Sequence, residues 1–195
     1  MHIYKYIALF GIVVMASCRP DVPTPKPIGY YKIEMPEHAY QEFDSIGFPF
    51  SFSYPVYANI TQDANLVKQE KAPYWINVYF PGFDATIYLS YKQISPKETL
   101  DNLIEESYKL TYAHDQRADY IKNPPFETKN GLYGVFFNVG GNAASTYQFF
   151  ITDTVKNFVR GSLYFDVAPN VDSLKPSIDF LRKDMDVMIE SFKFK

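Results

Sequence analysis

Apolar and polar residues alternate with a period of two through most of this chain, and the alternation gives way twice to a helical stripe. Phe48, Phe50, Phe52 and Tyr54 alternate with Pro49, Ser51 and Ser53, which predicts a strand with one apolar face. Ile76, Val78 and Phe80 predict a second strand, and Ile87, Leu89 and Tyr91 a third. Pro81-Gly82 lies between these two as a turn signal, so they are expected to pair as a hairpin. Ser95-Pro96-Lys97-Glu98 then has the spacing of a capping box with proline at the first helical position. The helix it predicts carries Leu100, Leu103, Ile104, Tyr108 and Leu110 on a core-facing stripe and fades between Ala113 and Ala118.

Beyond the Asn123-Pro124-Pro125 break the pattern returns. Tyr133, Val135, Phe137 and Val139 alternate, Gly140-Gly141-Asn142 is expected to turn the chain, and Tyr147, Phe149 and Ile151 form the next strand. After a polar turn from Thr152 to Asn157, the residues Val159, Gly161, Leu163, Phe165 and Val167 line a last strand, opposite Phe158, Arg160, Ser162 and Tyr164. Asp172-Ser173 is expected to cap a closing helix with Leu174, Ile178, Leu181, Met185, Met188 and Phe192 on one face, and Pro176 in its first turn. Three strands and a helix, twice over, predict an α+β domain in which an antiparallel sheet is covered by two amphipathic helices. The order of elements resembles the Mog1/PsbP-like sandwich, as a topological analogy.

The first residues follow a different logic. His2 and Lys5 precede an apolar run from Tyr6 to Met15, and Ala16-Ser17-Cys18 closes it with small residues. The run is too short for a membrane span and reads as a signal peptide over residues 1–17. Met15-Ala16-Ser17-Cys18 resembles the bacterial lipobox, in which the cysteine thiol is acylated and cleavage falls just before it. The other reading, a plain secretory signal and a chance free thiol, leaves an exported domain with one unpaired cysteine, Cys18 being the only one present. Pro20, Pro23, Pro25 and Pro27 make residues 18–29 a semi-rigid spacer beyond the lipidated cysteine, with a single domain over residues 30–195. Arg19 stands where some lipoproteins carry an inner-membrane retention aspartate, and no acidic run follows. The expected location is the outer membrane, with the domain facing the periplasm.

Without residues 1–17 the chain keeps 18 basic against 22 acidic side chains. This mild acidity argues against nucleic acid as a partner and supplies no polybasic patch for lipid headgroups, so the acyl anchor carries the membrane attachment. Aromatic residues make up 18% of the chain, which suits an aromatic-rich core more simply than a ligand platform.

Catalytic chemistry is sparse. Only His38 and His114 remain after the signal, no histidine or cysteine pair has zinc-ligand spacing, and there is neither a nucleophile elbow nor a phosphate loop. Ser145, His114 and Asp115 make a triad only on paper, because Asp115 adjoins His114 and nothing places Ser145 on a strand-to-helix elbow. Asp153, Asp166 and Asp172 read as turn chemistry rather than calcium ligands. No enzyme, cofactor or metal is expected. Two features remain. Asn142, Ala143, Ala144 and Ser145 continue a run of small residues that admits another backbone, and so form a possible partner surface with Arg160. Arg160, mid-strand, is either a solvated charge or a fork for a carboxylate.

Gly141-Asn142-Ala143-Ala144-Ser145, Gln148 to Asp153, Arg160-Gly161-Ser162-Leu163-Tyr164-Phe165, and Pro169-Asn170 with Asp172-Ser173-Leu174 together resemble the GldD gliding-motility lipoproteins. Tyr31 to Tyr40 and Phe48-Pro49-Phe50-Ser51-Phe52 extend the resemblance to the N-terminal half, and Val155-Lys156-Asn157 is a departure in a tolerant turn. The resemblance implies an envelope lipoprotein needed for gliding and linked to type IX secretion, and supplies no catalytic residues. The leading expectation is a non-enzymatic, membrane-tethered interaction domain with protein partners in that machinery. A periplasmic carrier of a small ligand or lipid in a sheet–helix cleft, and an envelope hydrolase, are the other classes.

Overall fold

The computed structural model describes residues 34–113, 117–168 and 170–195. Cys18, the proline spacer, His114 and Asp115 therefore lie outside the described residues. In chain order the elements are β1 (Tyr40–Phe43), β2 (Phe50–Pro55), β3 (Asn59–Thr61), α1 (Ala64–Glu70), β4 (Ile76–Phe80), β5 (Ala85–Gln93), α2 (Leu100–Tyr112) and β6 (Ala118–Lys122). They continue with β7 (Pro125–Glu127), β8 (Tyr133–Gly141), β9 (Tyr147–Thr152), β10 (Asn157–Phe165), α3 (Val171–Ser191) and β11 (Lys193–Phe194). Eight strands form one antiparallel sheet along the path β3-β4-β5-β10-β9-β8-β6, with β7 also on β8. A second sheet, β1-β2-β11, joins the first predicted strand to the C-terminus. The expected α+β architecture of antiparallel sheet and covering helices is thus present, with that small second sheet added.

The hairpin over Pro81-Gly82 forms as expected, pairing Ile76 with Leu89 and Phe80 with Ala85 around a 3-10 turn at Pro81–Phe83. The next turn differs in detail. Ser95 and Glu98 do bond each other, Ser95 N–H to the Glu98 carbonyl at 2.9 Å and Glu98 N–H to Ser95 Oγ at 3.2 Å, but they close a turn ahead of the helix. The cap itself is Thr99, whose Oγ1 accepts from Asn102 N–H, and α2 starts at Leu100. Leu110, expected on the buried stripe, is 45% exposed, and the buried positions are Leu103, Ser107 and Thr111. The cap of α3 is Asn170, accepting from Ser173 N–H, rather than Asp172-Ser173. Pro176 consequently falls in the second turn of α3, where it removes the bond that the Asp172 carbonyl would accept. Strand β10 ends at Phe165, which leaves Val167 about half exposed beyond it.

Helices α2 and α3 pack on opposite faces of the large sheet, so β9 is buried along its whole length. Under α3 lies the main core, where Leu181, Met185, Met188 and Phe192 meet Phe50, Phe52, Phe80, Ile87, Phe149, Ile151 and Leu163. Phe52 and Phe192 stack with ring centroids 5.5 Å apart and planes 4° from parallel. Gly161 is required here, because a Cβ at that position would lie 2.2 Å from the Phe149 ring that covers it. Under α2 the apolar cluster is small: Leu103, Phe137, Phe150 and Phe158.

Asp153 secures the β9–β10 hairpin. One carboxylate oxygen accepts the N–H groups of Val155, Lys156 and Asn157 at 2.8–3.0 Å, and the other accepts the Asn157 amide at 2.6 Å. Partial burial opposes ionisation, but these bonds outweigh it and hold the carboxyl below its ordinary range.

Candidate functional site

Alternation along β10 directs Phe158, Arg160 and Ser162 toward α2, and along β9 it directs Gln148 and Phe150 the same way. Gln148 is fully buried and bonds Arg160, whose Nη2 donates to Gln148 Oε1. Thr111 of α2 reaches the same oxygen at 3.0 Å and the Ser107 carbonyl at 2.9 Å, yet its single proton can serve only one of them. Gln148 Nε2, Arg160 Nε and Ser162 Oγ are buried with no partner among the described residues. Beneath α2 the sheet therefore carries a polar layer whose hydrogen-bonding capacity is partly unspent.

This layer opens sideways into a cleft of about 470 Å³, bounded by α2, β5, the chain leading into β4, and β10. Arg160 and Phe158 are at its base, with Ser107 and Leu110 on the helical side. Trp75 is fixed in the opposite wall by its Nε1–H bond to the Tyr91 carbonyl at 3.0 Å, while the Tyr91 ring turns to the α3 side of the sheet, meeting Tyr74 edge to face at 5.5 Å and Phe50 at 5.9 Å. At the rim Lys92 pairs with Glu106 at 2.9 Å and Glu98 at 3.3 Å. Burial would lower the Lys92 ammonium, but the two carboxylates prevail and raise it. Arg160 differs: burial pulls its guanidinium below its ordinary value, and Tyr164 and Glu106 offset this only in part. No carboxylate among the described residues is in ion-pair range of Arg160.

The small-residue segment is divided by the fold. Asn142 and Ala144 face outward, whereas Ala143 and Ser145 are buried, Ser145 completely. Gly140 and Gly141 do admit another backbone, but it is that of β6. They are still in β8, paired with Tyr120 and Ala118 across a bulge. A Cβ on Gly140 would strike the Tyr120 ring at 2.2 Å, and Gly141 has φ +90°. Arg160 lines the cleft, and none of Asn142, Ala143, Ala144 and Ser145 does. Trp75, Tyr91, Lys92, Glu106 and Gln148 were not legible as site residues. Two signals point toward them: Gln148 interrupts an otherwise apolar strand, and Ser107 and Thr111 continue the helical stripe begun by Leu103.

A second polar cluster ties the start of the described chain to α3. Asp184, 1% exposed, accepts from Tyr57 at 2.5 Å and from Tyr40 at 3.0 Å, and its Oδ1 lies 2.7 Å from His38 Nδ1. The His38 ring stacks on Phe180 at 4.3 Å. Burial, then the Asp184 carboxylate, pushes the Tyr40 hydroxyl up to about 12, and Tyr57 rises for the same reasons.

The fold is a PsbP-like α+β sandwich. The solution structure of cyanobacterial PsbP (CyanoP) from Synechocystis sp. PCC 6803 is similar at a TM-score of 0.52 and 13% identity, covering 89% of this chain and 99% of that one. At that identity the likeness shows the fold alone. The family model described as gliding motility lipoprotein GldD matches residues 20–194, and the chain belongs to this family. No curated protein matches it. Membership in a lipoprotein family associates the chain with the cell envelope, and no helix of the described residues is long and apolar enough to cross a membrane.

Proposed function

We propose that this protein is a non-enzymatic, lipid-anchored assembly component of the gliding machinery, linked to type IX secretion and held at the outer membrane facing the periplasm. The family match over residues 20–194 carries this reading. Acylation at Cys18 would supply the anchor, with residues 18–29 as spacer to the domain over 30–195. Asn142 and Ala144, exposed at the end of β8, are the part of the small-residue segment that a protein partner could touch. Crosslinking and pull-down of the acylated protein from envelopes, read by mass spectrometry, tests the assembly role. Enrichment of motility or secretion proteins supports it, and their absence from the crosslinked material overturns it. Cys18→Ala tests the anchor separately: the variant should be unprocessed or released from the membrane, and a membrane-bound, fully functional variant would refute lipidation. The cleft around Arg160 favours a second reading, a ligand-binding module, because it presents a cation that no carboxylate among the described residues pairs with directly.

A further inference from the structure

Arg160 is costly to keep where it is. Its guanidinium sits in the floor of the cleft, largely withdrawn from water, with Nη2 committed to Gln148 and Nε buried without a partner among the described residues. A largely desolvated cation of this kind gains from a counter-charge that completes it, and a planar fork with spare donors is shaped for a carboxylate. The Gln148 bond orients the fork, while Thr111 gives Gln148 Oε1 a second neighbour that does not depend on the arginine.

The surroundings narrow the chemistry. Lys92 is already neutralised by Glu98 and Glu106, so the rim adds no attraction for a multiply charged anion, and two carboxylates near the mouth repel one. That arrangement favours a single negative charge over phosphate. Trp75 and the half-exposed Leu110 offer apolar surface for the body of a ligand, and Trp75 is held in place before anything binds. At about 470 Å³ the cleft has the size of a small-molecule or short-peptide site.

We propose that this cleft binds a monoanionic carboxylate borne on an apolar or aromatic body, with Arg160 as its fork and Trp75 in its wall. The carboxylate can belong to a free organic acid or to the C-terminus of a polypeptide. The proposal does not rest on the assembly role.

Trp75 is the only tryptophan of the whole chain, so its fluorescence in the full-length acylated protein in detergent micelles reports on this site directly. The probes are 4-phenylbutyrate, acetyl-Leu-Phe with a free carboxylate, the same peptide as its C-terminal amide, and inorganic phosphate. Both acids should change the Trp75 signal saturably, and the amide and phosphate should bind at least about tenfold more weakly. Tighter binding of the peptide acid assigns the site to a polypeptide C-terminus, and tighter binding of 4-phenylbutyrate assigns it to a free acid. Arg160→Gln should weaken both acids at least about tenfold without lowering the melting temperature. Arg160→Lys, which keeps the charge but loses the fork, should fall in between and serves in its place if the glutamine variant does not fold. No saturable response to either acid, a preference for phosphate or the amide, or undiminished acid binding by the folded Arg160 variants would overturn the proposal.

Discussion

The two faces of the large sheet are built by opposite rules. Against α3 the packing is apolar and aromatic, with Phe149, Ile151, Leu163, Leu181 and Phe192 fully buried. Against α2 a small apolar cluster shares the interface with Ser107, Thr111, Gln148, Arg160 and Ser162, and several of their polar atoms lack partners among the described residues. Neighbouring residues of one strand make the contrast sharp: Leu163 faces α3 at 0% exposure and Ser162 faces α2 at 2%. Equal burial does not imply equal contribution. Apolar burial supports the fold in proportion to the area removed from water, whereas a buried hydroxyl without a partner opposes it. The α3 face carries the stability, and the α2 face holds the unspent hydrogen-bonding capacity.

Substitutions in neighbouring positions can break this comparison. Leu163→Asp places an unpaired carboxylate in the main core at a cost of several kcal/mol, of the order of the whole stability. Urea melts should find the variant unfolded, and an unchanged midpoint would show that β10 turns its other face to α3. Next in size, Asp184→Ala should cost about 3 kcal/mol, since it leaves two tyrosine hydroxyls and His38 without their common acceptor.

Asp184 also predicts an alkaline limit. The folded chain holds the Tyr40 proton up to about 12, against an ordinary value of 10.0, so above the ordinary value the unfolded state loses this proton first. Stability from this group is therefore complete below pH 10.0 and declines as the pH rises toward about 12. Denaturation midpoints measured across that interval should fall for the wild type and fall less steeply for Asp184→Ala.

Smaller effects sharpen the contrast from the other side. Ser162→Ala removes a buried hydroxyl that has no partner among the described residues, so its melting temperature should match or slightly exceed that of the wild type. A loss of more than about 1 kcal/mol would mean that the polar layer is structurally satisfied. Ala144→Gln is expected to leave the melting temperature unchanged, because Ala144 is exposed, and to impair gliding if the segment meets a partner. A destabilised variant would remove the partner-surface reading.

Much of this molecule was decided locally. Alternation over a few residues marks β4, β5, β8, β9 and β10, Pro81-Gly82 closes its hairpin, and the stripe from Leu174 to Phe192 commits α3, because a helix or strand must bury its own apolar face. The sequence by itself therefore determined the α+β class, the strand and helix inventory in outline, and the lipoprotein family. Short strands such as β3, β7 and β11 escaped, since two or three residues carry no period and are extended only by the ladder they join. Ser95-Glu98 shows a related limit at a boundary: a capping box fits a turn as well as a helix start, and here it closes a turn while Thr99 caps the helix.

What only the tertiary structure decided lies between residues far apart in sequence. The pairing of β5 with β10, the union of β2 with β11, and the meeting of His38 and Tyr40 with Asp184 depend on contacts that no local window contains. So does the burial of both faces of β9, which alternation reads as one. The sequence offered Arg160 as either a solvated charge or a fork. Burial beside Gln148, under a helix whose inward face is partly serine and threonine, depends on where β9, β10 and α2 come together, and that is set by the packing of the whole sheet.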